Sequence, residues 1–446
     1  MSESIPATET AASEFAAFAA IDWADRNHHW IVVSEDGQFH QRGVLENTPH
    51  VIDAWARNWK VRFPSRPIAV SLEQSRGPLV YQLMKYPHLV LFPVLPGTLA
   101  NYRKAFSPAN VKDDFADARL LLELVQQQRH HLRRYNPDTP QTRLLQSLVE
   151  QRRVVVDEKT RYSNRLTAGL KNYDPQVLDW IDDIDSPLGC DLLQRWPSLE
   201  ALQRNHPGTL KRFFVEHNCR SQQRIQERIQ AIREAQPAVT DTAVLEAGVF
   251  TTRIYVPLLQ QLNASLKICD TKIAELVRTH PETPLFENLP GAGPALLPRL
   301  IVAFGTDRER YQSAIELAQY SGIAPVTRRS GKQETICYRR ACPKFLRQTL
   351  QEFASHSIQK SQWARAFYDK QRAENKGHHA AVRALAFKWI RILFRCWKDR
   401  VPYDEATHMA TLHRRQLSQT KELLGPTTKL GWKKVAGFHQ LSAEKP

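Results

Sequence analysis

Cysteine is scarce in this chain: there are six among 446 residues, at positions 190, 219, 269, 337, 342 and 396, with no C-x-x-C pair. That scatter excludes a disulfide-stapled scaffold and leaves structural zinc without a ligand set, so reduced thiols in a cytoplasm are the plain expectation. No apolar run is long enough to span a membrane, and the N-terminus lacks the basic start and apolar centre of a secretion signal. Residues 1–15, rich in Ala, Thr and Ser, read instead as a disordered leader. Acidic residues are the other shortage. Lys plus Arg number 62 against 46 Asp plus Glu, a formal charge of +16. Like charges repel, so such an excess points to a polyanionic partner. Without a membrane span or a dominant basic amphipathic helix, nucleic acid is favoured over an acidic membrane surface.

What is present begins with a pattern of strands and helices over residues 16–130. Residues 16–23 are apolar and close on Asp22. Two alternating runs flank Asp36-Gly37, a pair that tolerates positive φ and so signals a hairpin. Residues 49–62 space their apolar positions as a helix does. "PIAVSLE" is a short strand ending at Glu73, residues 76–86 can form a helix, and "LVLFPVLP" is a further strand bounded by Pro96-Gly97. "KDDFADARLLLELVQQQ" opens a helix with Asp113 as its expected cap. The order β-β-β-α-β-α-β-α resembles that of the RNase H fold. On that resemblance, Asp22, Glu73, Asp114 and Asp117 come to one edge of a sheet, the last two sharing a helix face at i, i+3. Converging carboxylates suit magnesium and phosphoryl chemistry. Taken singly, each is equally an ordinary strand-end, solvated-edge or helix-dipole residue, and Asp25 and Asp113 are chemically equivalent neighbours.

Residues 139–172 read as one long helix with Arg152, Arg153, Lys159, Arg161 and Arg165 off its apolar face, either solvated or against a nucleic-acid backbone. A second helical stretch over about 220–280 is interrupted near "AQPAVTDTAVLEAG". Its Leu258, Leu259, Leu262, Leu266, Ile268, Ile273 and Leu276 are spaced close to a heptad. Antiparallel pairing within the chain and coiled-coil assembly both fit; a dimerising arm is the preferred expectation.

After Pro284 the character changes. Pro290-Gly291-Ala292-Gly293 is a tight turn feeding a helix N-terminus, as in helix-hairpin-helix modules, where Gly291 and Gly293 would bare backbone N–H groups to a phosphate. Ser330-Gly331 then lies in a basic loop among Arg328, Arg329, Lys332, Arg339, Arg340, Lys344 and Arg347, a cluster able to hold phosphates. A serine there is either a nucleophile or a turn residue.

Two blocks now point to a family. "AAIDWADRNHHWIVV", "VSLEQSRGPL" and "NYRKAFSPANVKDDFADARLL", with "LPGAGPALLPRLIVAFG" and "LAQYSGIAPVTRRSGKQ", resemble the DEDD transposases of the insertion sequence 110 family, relatives of the Piv-type DNA invertases. The chain departs from that pattern at Arg76 before Gly77 and at "CPKFLR". The resemblance implies a site-specific DNA recombinase with an α/β RuvC-like domain and a mostly helical C-terminal domain. It further implies Mg2+ (or Mn2+) on Asp22, Glu73, Asp114 and Asp117, a nucleophilic Ser330 forming a phosphoserine link to DNA, a structured guide RNA and a homo-oligomer, dimer or tetramer. The expected divisions are 1–15, 16–130, 131–283, 284–410 and a basic tail over 411–446, in a cytoplasmic, nucleoid-associated protein. A metal-only RuvC-like nuclease and a non-catalytic nucleic-acid-binding protein are the alternatives.

Overall fold

The structure, a computed structural model, describes residues 14–73, 77–106, 114–331 and 333–424. The chain divides into two compact units, residues 1–137 and 138–446. Expectations that fall on the leader before residue 14, on Arg76, Asp113 and Lys332, and on the tail after residue 424 lie outside the described residues.

The first unit is built on a five-stranded mixed sheet. Its strands are β1 (Ala17–Asp22), β2 (Asn27–Ser34), β3 (His40–Glu46), β4 (Ile68–Leu72) and β5 (Leu89–Pro93). Their order across the sheet is β3-β2-β1-β4-β5, with β1, β4 and β5 parallel and β2 antiparallel to both β1 and β3. The β2–β3 turn is the expected one. Gly37 takes φ +71°, and the Asp36 carboxylate accepts the Gln38 N–H at 3.0 Å. Helices α1 (Pro49–Arg62) and α2 (Pro78–Leu83) follow the sequence pattern, whereas α3 (Pro96–Phe106) occupies a stretch read as a bounding turn. Helix α4 (Asp114–Gln127) closes the series.

Strand alternation sorts the core into two layers. Ala17, Ala19 and Ile21 of β1 join Ile68, Val70 and Leu72 of β4 under α1 and α2, where Trp55 and Trp59 pack edge-on around Trp30. Phe18 and Ala20, with Ala69, face the other way against Ala118, Leu121, Leu122 and Val125 of α4.

Among its described residues, the second unit is helical apart from one hairpin. Helix α5 (Pro140–Tyr173) is capped by the Thr139 hydroxyl. Five short helices follow: α6 (Val177–Trp180), α7 (Pro187–Arg195), α8 (Leu199–Gln203), α9 (Pro207–Glu216) and α10 (Gln222–Glu234). Helix α11 (Thr242–Thr279), capped by Asp241, then returns antiparallel along α5. The start of α5 meets the end of α11 through Thr142 Oγ1 and His280 Nε2 at 2.9 Å, and the far ends meet through the Tyr173 and Thr252 hydroxyls at 2.8 Å. Gly248 makes the crossing possible, because a Cβ there would stand 2.3 Å from the Tyr173 ring. The heptad-like leucines divide accordingly: Leu259 and Ile273 are buried, while Leu258 and Ile268 are exposed.

The remaining elements are α12 (Thr283–Phe286), α13 (Leu297–Phe304), α14 (Ala314–Tyr320), β6 (Pro325–Ser330), β7 (Gln333–Tyr338), α15 (Lys344–Ser357), α16 (Gln362–Ala373), α17 (His378–Asp399) and α18 (Glu405–Leu424). The helices gather around Phe304, Phe353, Trp389 and Trp397. Leu145, Val149 and Ile273 from the long pair complete that core, while Leu166 to Leu259 form a separate distal one. Helix α18 carries the chain well into the stretch expected to be a tail.

Candidate functional site

Register alone brings two of the expected carboxylates together. The last paired residues of β1 and β4 are Ile21 and Leu72, so Asp22 and Glu73 follow them side by side at the C-terminal edge of adjacent parallel strands. By alternation both belong to the layer facing α4. Three contacts orient that helix. The Ser71 hydroxyl donates to the Leu121 carbonyl at 2.8 Å, tying the middle of α4 to β4. His29, which pairs with Asp22 across the sheet, packs edge-on against Phe115 with ring centroids 4.7 Å apart. Arg42 of β3 covers the same Phe115 ring at 5.1 Å. The first turn of α4 therefore lies at the strand edge that ends in Asp22.

Asp117 sits one turn before Leu121, on the face turned to the sheet, and is 4 % exposed. From the Ser71–Leu121 bond, two residues along β4 and four back along α4 each cover roughly 6 Å, towards Glu73 and Asp117 respectively. Asp114 is the first residue of α4; its side chain lies outside the described residues. Asp117 is engaged at both oxygens by Arg103 of α3, with Nε donating to Oδ1 at 2.8 Å and Nη2 to Oδ2 at 2.5 Å. Sequence reasoning missed Arg103. Its only signal is membership of the same "NYRKAF…DDFADA" block. Among the described residues, no three His, Cys, Asp or Glu side chains are close enough together to hold a metal ion.

Ser330 sits in the second unit, where the expected basic loop is a β-hairpin. Helix α14 ends at Gly322 (φ +71°), with the Ile323 N–H donating to the Ala318 carbonyl, and Pro325 then starts β6. The closeness of Gly322 to Cys342, whose Sγ would stand 2.4 Å from an added Cβ, holds the hairpin base. Strands β6 and β7 pair from Pro325↔Tyr338 to Ser330↔Gln333, and Gly331 (φ +57°) opens a two-residue tip. A tip this short needs a residue free to take positive φ, which the glycine after Ser330 supplies. Ser330, Arg328 and Arg329 are all exposed, and Arg329 spends part of its charge on Glu334 at 3.1 Å.

Lys332 lies outside the described residues, and the four remaining predicted basic residues are gathered at the hairpin base rather than its tip. Arg339 and Arg340 follow β7, and Lys344 and Arg347 lie in the first turn of α15. Arg347 donates to the Arg339 carbonyl at 3.2 Å. Gly291 has a packing duty: at φ +89°, a Cβ would press within 2.8 Å of the His356 backbone. Gly293 is exposed, and its carbonyl accepts the Leu296 and Leu297 N–H groups at 2.9 Å.

Comparison with known proteins follows the same two regions. A transposase family model, that of the DEDD transposases of IS110, matches residues 19–175, and the model of the IS116/IS110/IS902 transposase family matches residues 283–369. The mini-circle putative transposase for IS117 of Streptomyces coelicolor is 26% identical, over 89% of this chain and 97% of its own length. The insertion element IS116 44.8 kDa protein of Streptomyces clavuligerus is 25% identical over 84% of this chain and 94% of its own. The pilin gene-inverting protein of Moraxella bovis is 29% identical over 32% of this chain and 47% of its own. With both blocks matched in order, the chain belongs to the IS110 family of transposases and is a DNA transposase/recombinase.

Proposed function

We propose that this transposase cuts and rejoins DNA through a phosphoserine link at Ser330, with Asp22, Glu73, Asp114 and Asp117 holding a divalent ion, magnesium or manganese, on a RuvC-like sheet. The observation that supports the reading is the register that sets Asp22 beside Glu73 at the strand edge, where Phe115 of α4 packs on His29. An all-carboxylate donor set suits a hard cation. The buried Asp117 already demands a positive partner, which Arg103 supplies. When bound, such an ion would polarise the phosphoryl oxygens and stabilise charge on the leaving oxygen.

The remaining chemistry belongs to the chain. The Ser330 oxygen attacks phosphorus and loses its proton to water or a neighbouring base. A Ser330 O–P bond forms as the bond from phosphorus to the bridging sugar oxygen breaks, and that oxygen leaves with the cut strand. Attack by a new strand's hydroxyl reverses the exchange, so the link conserves the phosphodiester for rejoining. The exposed hairpin tip presents Ser330 to a duplex, while Arg328, Arg329 and Lys332 beside it, and Arg339, Arg340, Lys344 and Arg347 at its base, would hold phosphates. A structured guide RNA and a homo-oligomer complete the proposal. The apolar residues left exposed along α11 support the second of these.

The decisive experiment is Ser330→Ala assayed for a protein–DNA adduct on a denaturing gel. Loss of an adduct seen with the unaltered protein is expected. An undiminished adduct removes Ser330 from the chemistry, and cleavage with no adduct in either protein favours a metal-only nuclease.

A further inference from the structure

We propose that Arg103 is the resting occupant of Asp117, holding that carboxylate while no divalent ion is bound and giving it up when one arrives. This rests on the reading of Asp117 as a metal ligand. Both Asp117 oxygens already accept a hydrogen bond from the same guanidinium, and with 4 % of the residue exposed there is no solvent side from which a cation could approach unhindered. Each oxygen keeps a second lone pair, but a carboxylate already neutralised by a guanidinium is a weaker ligand for a divalent ion at about 2.1 Å. The two cations also repel each other across the shared anion.

The helix bearing Arg103 is lightly held. Along α3, Pro96, Gly97, Thr98, Asn101, Lys104 and Ala105 are exposed, and Leu99 is its one fully buried side chain among the described residues. Asp117, by contrast, is fixed by α4, whose Ala118, Leu121 and Val125 lie in the core. In any exchange of partners the arginine is the one free to move.

Another largely buried arginine–carboxylate pair is held differently. Arg308 reaches both Glu282 oxygens through Nη2 alone, at 2.9 and 2.7 Å, and it also lies over the Trp397 ring at 4.9 Å, inside the main core of its unit. That pair ties together elements that are already packed. The Arg103–Asp117 pair instead joins a lightly anchored helix to a residue at the acidic strand edge.

The test is a Mn2+ titration of the full chain by calorimetry, with Arg103→Met and Arg103→Lys beside the unaltered protein. Arg103→Met should bind Mn2+ about tenfold more tightly, the size of a typical coupling between competing ligands, and Arg103→Lys should fall between. By the same reciprocity, Mn2+ should speed modification of Arg103 by phenylglyoxal, followed by mass spectrometry, in the unaltered protein. A folded Arg103→Met with unchanged or weaker Mn2+ binding overturns the proposal. So does a modification rate indifferent to Mn2+ in a protein that binds the ion. Should Arg103→Met not fold, the lysine variant and the modification rate decide. If the unaltered protein and every variant take up no Mn2+, the metal reading itself is lost and this inference with it, a result distinct from binding that ignores Arg103.

Discussion

Asp174, at the C-terminal cap of α5, is 2 % exposed, neither of its carboxylate oxygens has a hydrogen-bond partner among the described residues, and burial pushes its carboxyl up to about 6. The folded value lies above the ordinary one. Between roughly pH 4 and 6 the folded state therefore keeps a proton that the unfolded chain has released, and stability falls as pH rises through that window. Above it the full cost is about 3 kcal/mol. Asp174→Asn should accordingly stabilise the second unit by about 1–3 kcal/mol at pH 7.5 and give no gain at pH 4, measured by denaturant unfolding at both values. A gain independent of pH would assign the effect to something other than ionisation. Residues of this kind were not legible in the sequence, because nothing in "KNYDPQ" says which side chain the distal core will enclose. The strand-end positions of Asp22 and Glu73 were legible, since each directly ends a short apolar run. Arg103 was not, because its role depends on a partner fourteen positions away across a stretch with no strong period.

Among the elements, periodicity worked where one face is buried. Helix α1 has the expected bounds because Ile52, Trp55, Ala56 and Trp59 mark its inner stripe, and α5 lies within one residue of expectation because Thr139 and Pro140 punctuate its start. The β6–β7 hairpin was read as a loop for the opposite reason. "TRRSGKQETI" has no apolar face, and Ile336, its one large hydrophobe, is itself exposed. Two isolated strands without a buried face are marginal in water. In hydrogen exchange the amides of Thr327–Ser330 and Gln333–Ile336 should lose protection orders of magnitude faster than those of the α5–α11 pair, and slow markedly once DNA is bound. Equal protection in the free protein would show that another surface already covers the hairpin.

For the whole molecule, the charge excess and the two sequence blocks were enough to indicate a nucleic-acid enzyme, but the antiparallel pairing of α5 with α11 was one of two arrangements left open. The pair accounts for Leu259 and Ile273. It leaves Phe250, Ile254, Leu258 and Ile268 on the surface, at 67%, 46%, 40% and 70% exposure. Apolar residues repeated along one helix are usually covered in the working assembly. Phe250→Glu with Ile268→Glu should shift the protein towards monomer in light scattering while leaving its helical content unchanged. An unaltered chain that is already monomeric at micromolar concentration removes α11 as the assembling surface.

The closed shape of this long excursion also sets the order in which the molecule can fold. Thr142 and His280 are neighbours separated by 138 positions in the chain, and bringing them together early means closing one very large loop. The distal core, from Leu166 to Leu259, is made of contacts much closer in sequence, and once it forms it turns the remaining closure into the zipping of two preformed helices. Leu145, Val149 and Ile273 reach the main core only at the end of that zipping. A fragment begun at residue 284 would thus inherit a core with three of its buried side chains missing, and a growing chain completes that core last.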